Sequence, residues 1–186
     1  MTNGQLLHVT YRVGEELKAQ MDPRRRVYNV SSGGEFGVFS PFTVYDHPSI
    51  PVPGMPEKHG YSVEAIWQGL KLIDGQINLD MILGANRAEK RKFTPYPETK
   101  FKFGDAQIGL VEARLRIFVP TYQFVFDRLI PKQTKEDITR LTQRGIDQYF
   151  YDVDSNGNIY DPSTSYSHAA LLVNLLQKYV CEQSTK

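Results

Sequence analysis

Three side chains spaced for chemistry stand out in the segment Ser62-Val63-Glu64-Ala65-Ile66-Trp67-Gln68-Gly69-Leu70-Lys71. On a helix, a carboxylate, a carboxamide and an amine at i, i+4 and i+7 project from one side, flanking an apolar face of Val63, Ile66, Trp67, Leu70 and Ile73. Two readings fit that stripe. Either it is a solvated face with a modest Glu-to-Lys contribution, or Glu64, in the first turn after a proline-braced loop, faces a cleft and handles protons. A second carboxylate, Asp147, lies in Ile146-Asp147-Gln148-Tyr149-Phe150-Tyr151-Asp152. Its aromatic neighbours can desolvate it and tune its pKa, or it can cap local structure.

Other groupings are less complete. Asp152-Val153-Asp154-Ser155-Asn156-Gly157-Asn158 begins like a calcium loop, but Ser163 stands at the twelfth position where a bidentate Glu belongs, so a plain acidic turn is the better reading. Arg87-Ala88-Glu89-Lys90-Arg91-Lys92 can hold phosphates or form a solvated loop. Gly33-Gly34-Glu35-Phe36-Gly37 lacks both the Lys-Ser/Thr ending of a P-loop and the G-x-G-x-x-G spacing. His8, His47, His59 and His168 are scattered, with no pair at zinc-ligand spacing and no nucleophile elbow nearby.

The elements that must position these residues are mostly helical. Ser62 is the expected N-cap of a helix running to Ile73, a second helix spans Asn78–Leu83 and ends at Gly84, and further helices fall at Asp105–Phe118, Pro120–Ile130, Lys135–Arg144 and Ser167–Tyr179. Leu6–Val13 and Val27–Val30 read as strands. Pro48, Pro51, Pro53 and Pro56 keep their segment extended, and Ala85–Gly104 reads as a loop. The expected class is α+β, a predominantly helical single domain with a small β portion near the N-terminus. Its organisation is an N-terminal strand and basic segment over 1–26, a main domain over 27–180 and a tail over 181–186.

Composition limits the function classes. The chain has 186 residues, with 22 Lys+Arg against 21 Asp+Glu and a formal charge of +1, which weighs against a generic nucleic-acid binder while leaving room for local basic patches. No stretch approaches the run of about eighteen apolar residues of a membrane span, and no signal peptide is visible. The single cysteine, Cys181, fits a reducing, cytoplasmic setting. The 11 Tyr, 10 Phe and 1 Trp are either core mass or the lining of a pocket for a flat ligand.

Taken together, the segments resemble the NADAR (YbiA-like) family, in which a loop ending F-S-N-F precedes an S-x-E-H-x-x-Q-x-x-K helix. The corresponding residues are Gly37-Val38-Phe39-Ser40-Pro41-Phe42 and Tyr61 to Lys71. Downstream, Gly84-Ala85-Asn86-Arg87 resembles the family's G-R-D-R, Asp147 to Asp152 its D-x-Y-W-G-D, and Ala169 to Val173 the start of its last helix. The likeness covers most of residues 27–179. It departs at Pro41, Ala65 and Phe150, where the family has Asn, His and Trp, and at Ser165 to Ala169, which replace its late G-x-N-x-L-G.

The resemblance implies a YbiA-like fold and an N-glycosidase acting on a ribosyl–base bond. Its substrates would be ADP-ribosylated guanine, as nucleoside or in nucleic acid, or a ribose-phosphate intermediate. Such cleavage passes through an oxocarbenium-like state and needs carboxylates to move protons and to face the ribosyl cation. Glu64 is then the general acid/base and Asp147 the second carboxylate. The implied substrate-binding set is Phe39, Ser40, Trp67, Gln68, Lys71, Arg87, Phe150 and Asp152. Within it Lys71 and Arg87 would grip phosphate, Gln68 would orient ribose hydroxyls, and Phe39 or Phe150 would stack on the base. No metal or redox cofactor is required. The departures favour a rival reading, a module that binds nucleotide or ADP-ribose without turning it over.

Overall fold

A computed structural model describes residues 3–184. In chain order the elements are β1 (Leu6–His8), α1 (Tyr11–Ala19), β2 (Arg25–Asn29), β3 (Ile50–Val52), β4 (Met55–Gly60), α2 (Val63–Leu70), α3 (Leu79–Leu83), β5 (Lys100–Phe103) and β6 (Ala106–Gly109). There follow α4 (Leu110–Ala113), a π-helical turn (Arg114–Phe118), α5 (Val119–Arg128), α6 (Lys132–Gln143), β7 (Asp147–Tyr151) and α7 (His168–Ser184). The architecture is α/β, helices with small sheets. The strands are spread along the chain rather than gathered near the N-terminus, because β5, β6 and β7 lie in its second half.

The chain divides into two compact units. The first takes the residues up to Ser40, Arg128–Gly157 and the chain from Ser165 onward; the second takes Pro41–Asp127 and Asn158–Thr164. The boundary expected at 26/27 falls inside β2, and α7 continues through Ser184, so 181–184 are helical. The remaining tail residues, 185 and 186, lie outside the described residues, as do 1 and 2 of the expected N-terminal segment.

The first unit is built on a parallel sheet ordered β1-β7-β2, with Leu6 opposite Gln148 and Tyr28 opposite Phe150. Its central strand is covered on both faces, as parallel sheets require. Side chains alternate along β7. Tyr151 therefore faces α1, where a Cβ on Gly14 would strike its ring at 2.3 Å, while Gln148 faces α6 and donates to the Ile138 carbonyl and Thr142 Oγ1. Tyr28 completes the buried carboxamide by donating to Gln148 Oε1 at 2.8 Å.

Helix α1 corrects the expectation of a strand through Val13. Thr10 accepts from the Val13 amide as an N-cap, and the period changes from two to that of a helix after His8.

The second unit packs two hairpins and three helical stretches. β3 and β4 form a hairpin in the proline-rich segment that the sequence predicts only to be extended, turning at Gly54 with φ +79°. A Cβ there would meet the Gly104 backbone nitrogen at 2.4 Å, so the two hairpin tips approach closely only because Gly54 has none.

β5 and β6 overturn two expectations. Lys100–Phe103 is strand rather than loop, and Ala106–Gly109 is strand rather than helix. Lys-Phe-Lys-Phe alternates with period two and Gly104, at φ +57°, makes the turn. Helix then starts at Leu110 and runs without a break into α5, the π-helical turn accommodating the region before Pro120, which has no N–H to donate. Among the described residues no helix is long and apolar enough to cross a membrane.

Candidate functional site

The second unit holds the row singled out on α2. Ser62 Oγ accepts from the Ala65 amide as N-cap, and the Glu64 amide donates to the Pro41 carbonyl at 2.9 Å, fixing the loop to the first turn of the helix. Every residue of α2 is buried. Glu64, Gln68 and Lys71 are only 6%, 3% and 6% exposed, so the solvated-stripe reading falls. Burial is tolerated because the row is bonded: Gln68 Nε2 donates to Glu64 Oε1 at 2.7 Å, and Gln68 Oε1 accepts from the Arg91 amide at 2.9 Å. The Gln68 carboxamide thus has both its ends engaged and sets the orientation of the Glu64 carboxylate.

Helix α2 ends at Leu70, earlier than the periodicity to Ile73 predicts, because its last carbonyls find partners elsewhere. The Arg91 guanidinium donates to the carbonyls of Gln68, Gly69 and Lys71 at 2.9 to 3.2 Å and to that of Gln76, and the Asn78 amide also donates to Gly69. A cation on those carbonyls also suits the negative end of the helix. Lys71 is then extended and bridges to Phe101 of β5, with its Nζ donating to the Arg91 carbonyl at 3.1 Å. Burial pushes the Lys71 pKa down to about 8, against the attraction of Glu64 and helped by Lys90 and Arg91.

Arg91 is the partner of this row that sequence reasoning did not single out; nothing in the run Arg87–Lys92 distinguishes it from its basic neighbours. Arg87 is exposed, with its guanidinium carbon 5.0 Å from the centre of the Phe42 ring, a cation–π contact. Trp67 is a core residue, 4.2 Å from the Phe101 ring and edge-on to Phe118. The second unit therefore brings together Pro41, Phe42, Glu64, Gln68, Lys71 and Arg91.

The other sequence-predicted residues belong to the first unit. Asp147, at the N-terminal end of β7, accepts from the Gln5 amide at 2.8 Å, a tie to the residue that precedes β1. Phe39 and Ser40 are 1% and 5% exposed, at the end of the segment that follows β2. Phe150 has no exposure, and its ring stacks on Tyr28 with centres 4.6 Å apart.

Asp152 follows β7 and is fully buried, with Oδ2 accepting from Ser167 Oγ, the Ala169 amide and His168 Nδ1 at 2.8 to 3.0 Å. Its Oδ1 accepts from the Asp154 amide. Burial opposes its charge, but the His168 contact, the Ala169 amide and the Ser167 hydroxyl outweigh it and hold its pKa below the ordinary 3.8. Among the described residues no group of three or more His, Cys, Asp or Glu side chains is disposed to hold a metal ion.

Fold and geometry define an α/β protein whose second unit carries a buried acid–amide pair on α2 with the Lys71 amine just past the end of the helix. Comparison places it among relatives: residues 10–172 match the model of DUF6939, a family of unknown function, and the chain belongs to that family. No curated protein and no solved structure matches it.

Proposed function

We propose that this chain is an N-glycosidase that hydrolyses a ribosyl–base bond, in ADP-ribosylated guanine or a ribose-phosphate intermediate, with Glu64 as general acid/base. The observation that carries the reading is the Glu64 carboxylate itself, buried in the first turn of α2 and held by Gln68 at 2.7 Å. Acid/base work needs a carboxylate fixed in orientation and removed from bulk water. In the reaction, the C1′–N bond breaks as water adds its oxygen to C1′. Glu64 takes the proton that the water sheds and passes it to the departing base nitrogen, which regenerates the carboxylate.

The oxocarbenium character of the transition state favours a nearby negative charge. Arg87, laid on Phe42, supplies a guanidinium for phosphate. The order and spacing of Phe39-Ser40-Pro41-Phe42 and the helix from Ser62 to Lys71, resembling NADAR proteins, support the same reading. It assigns no step to Asp147, whose carboxylate holds the Gln5 amide.

A second reading, a nucleotide-binding module without turnover, is favoured by Pro41 and Ala65, which stand where the resembled family has Asn and His. One experiment separates the two: release of free base from ADP-ribosylated guanosine or a ribosylamino-pyrimidine phosphate, alongside calorimetry with ADP-ribose. The expected result is base release by the native chain and a loss of at least about 10²-fold in Glu64→Gln with ADP-ribose binding retained. Binding without release supports the module, and the absence of both removes both readings.

A further inference from the structure

The C-terminal ends of the three parallel strands meet at groups the proposed chemistry does not use. His168 opens α7 with Nδ1 2.8 Å from Asp152 Oδ2, just past β7, and Nε2 2.9 Å from the carbonyl of Val30, just past β2. A carbonyl oxygen only accepts. Asp152 is surrounded by donors on both oxygens, so it too is an acceptor, ionised and buried. A neutral imidazole has one N–H and can satisfy one of these two partners, whereas an imidazolium satisfies both.

We infer that His168 is held as an imidazolium whose two N–H groups staple the ends of β2 and β7 to the start of α7, and that this staple is a proton-dependent switch on the segment Ser31–Ser40. That segment leaves Val30 directly and is rooted on Asn29. The Asn29 side-chain oxygen accepts from the Ser31 amide and hydroxyl, and its backbone carbonyl accepts from the Phe36 amide. When the His168 proton is lost as pH rises, the one remaining N–H stays on ionised Asp152, the stronger acceptor, so the Val30 carbonyl loses its imidazole donor and the root of the segment loses a tie.

The titratable groups facing the staple include Asp152 just past β7 and His8 on β1; the residue before α7 contributes the Ser167 hydroxyl, α7 the Ala169 amide, and the residue after β2 the Val30 carbonyl. Burial lowers the His8 pKa, the charge of Asp152 opposes that shift and the charge of His168 adds to it. The inference is independent of the glycosidase reading, because its readouts are resonances rather than base release.

The test is long-range ¹⁵N–¹H spectroscopy of the full chain labelled at its four histidines. At pH 8 an unperturbed imidazole is roughly 3% charged. One histidine is expected to keep both ring nitrogens protonated there. That signal disappears in His168→Gln and, if that variant does not fold, is assigned by its persistence in His8→Gln, His47→Gln and His59→Gln, the last two at exposed positions. Four neutral imidazoles at pH 8 overturn the inference. The backbone amides of Ser31–Ser40 are expected to shift with the same midpoint as His168, and amides that stay flat through its titration overturn the switch.

Discussion

Lys71 enters the structure at a cost that pH can reveal. Its pKa of about 8 in the folded chain lies below the ordinary 10.5, so between those values the unfolded chain binds the proton that the folded chain has released. Stability therefore rises with pH across that window, by up to roughly 3 kcal/mol, and the penalty is fully present below pH 8. Urea unfolding at pH 7.5 and pH 10 is expected to show this rise in the native chain and not in Lys71→Met. Equal slopes in the two would show that the amine is not desolvated. At this scale the sequence was informative about identity and silent about environment. The spacing of Glu64, Gln68 and Lys71 placed them on one side of a helix, but their burial depends on Arg91, twenty residues further on, whose reach across the C-terminal carbonyls of α2 leaves no local pattern.

Helix α2 also shows how packing overrides propensity. In an exposed helix Gly69→Ala would gain up to about 1 kcal/mol. Here the added Cβ would lie 2.3 Å from Ile82 Cγ1 on α3 and 2.9 Å from the Asn78 carbonyl, so the substitution is expected to destabilise by about 1–3 kcal/mol, read as a lower urea midpoint with unchanged slope. The elements that sequence reasoning located best, α2, α3 and the final helix, are those with an N-cap or a long apolar period. Those it misread lie where period two and period 3.6 compete over a few residues. Phe101 and Ile108 pair across a hairpin, while Ile108, Val111 and Leu115 also match a helical face, and only cross-strand pairing decides.

At the scale of the whole molecule, β7 is indispensable to the parallel sheet, because it is the strand to which both β1 and β2 are bonded. A chain ending at Asp127 keeps β1, α1 and β2 but gives them nothing to pair with. Hydrogen exchange is expected to find the β2 amides that bond to β7 protected in the full chain and unprotected in the shortened one; protection in both would mean that β2 has another partner. No local feature of β1 or β2 announces this arrangement, which is why sequence reasoning described a small N-terminal β portion without its central strand.

The distance between those partners also sets a clock. Gln5 and Asp147, which join β1 to β7, are 142 residues apart. At about 5–20 residues per second, a ribosome needs roughly 7 to 30 s between making one and making the other. Through that interval both outer strands exist as unpaired edges, so the nascent chain offers its longest opportunity for chaperone capture, or for mispairing, before the middle of its sheet has been made.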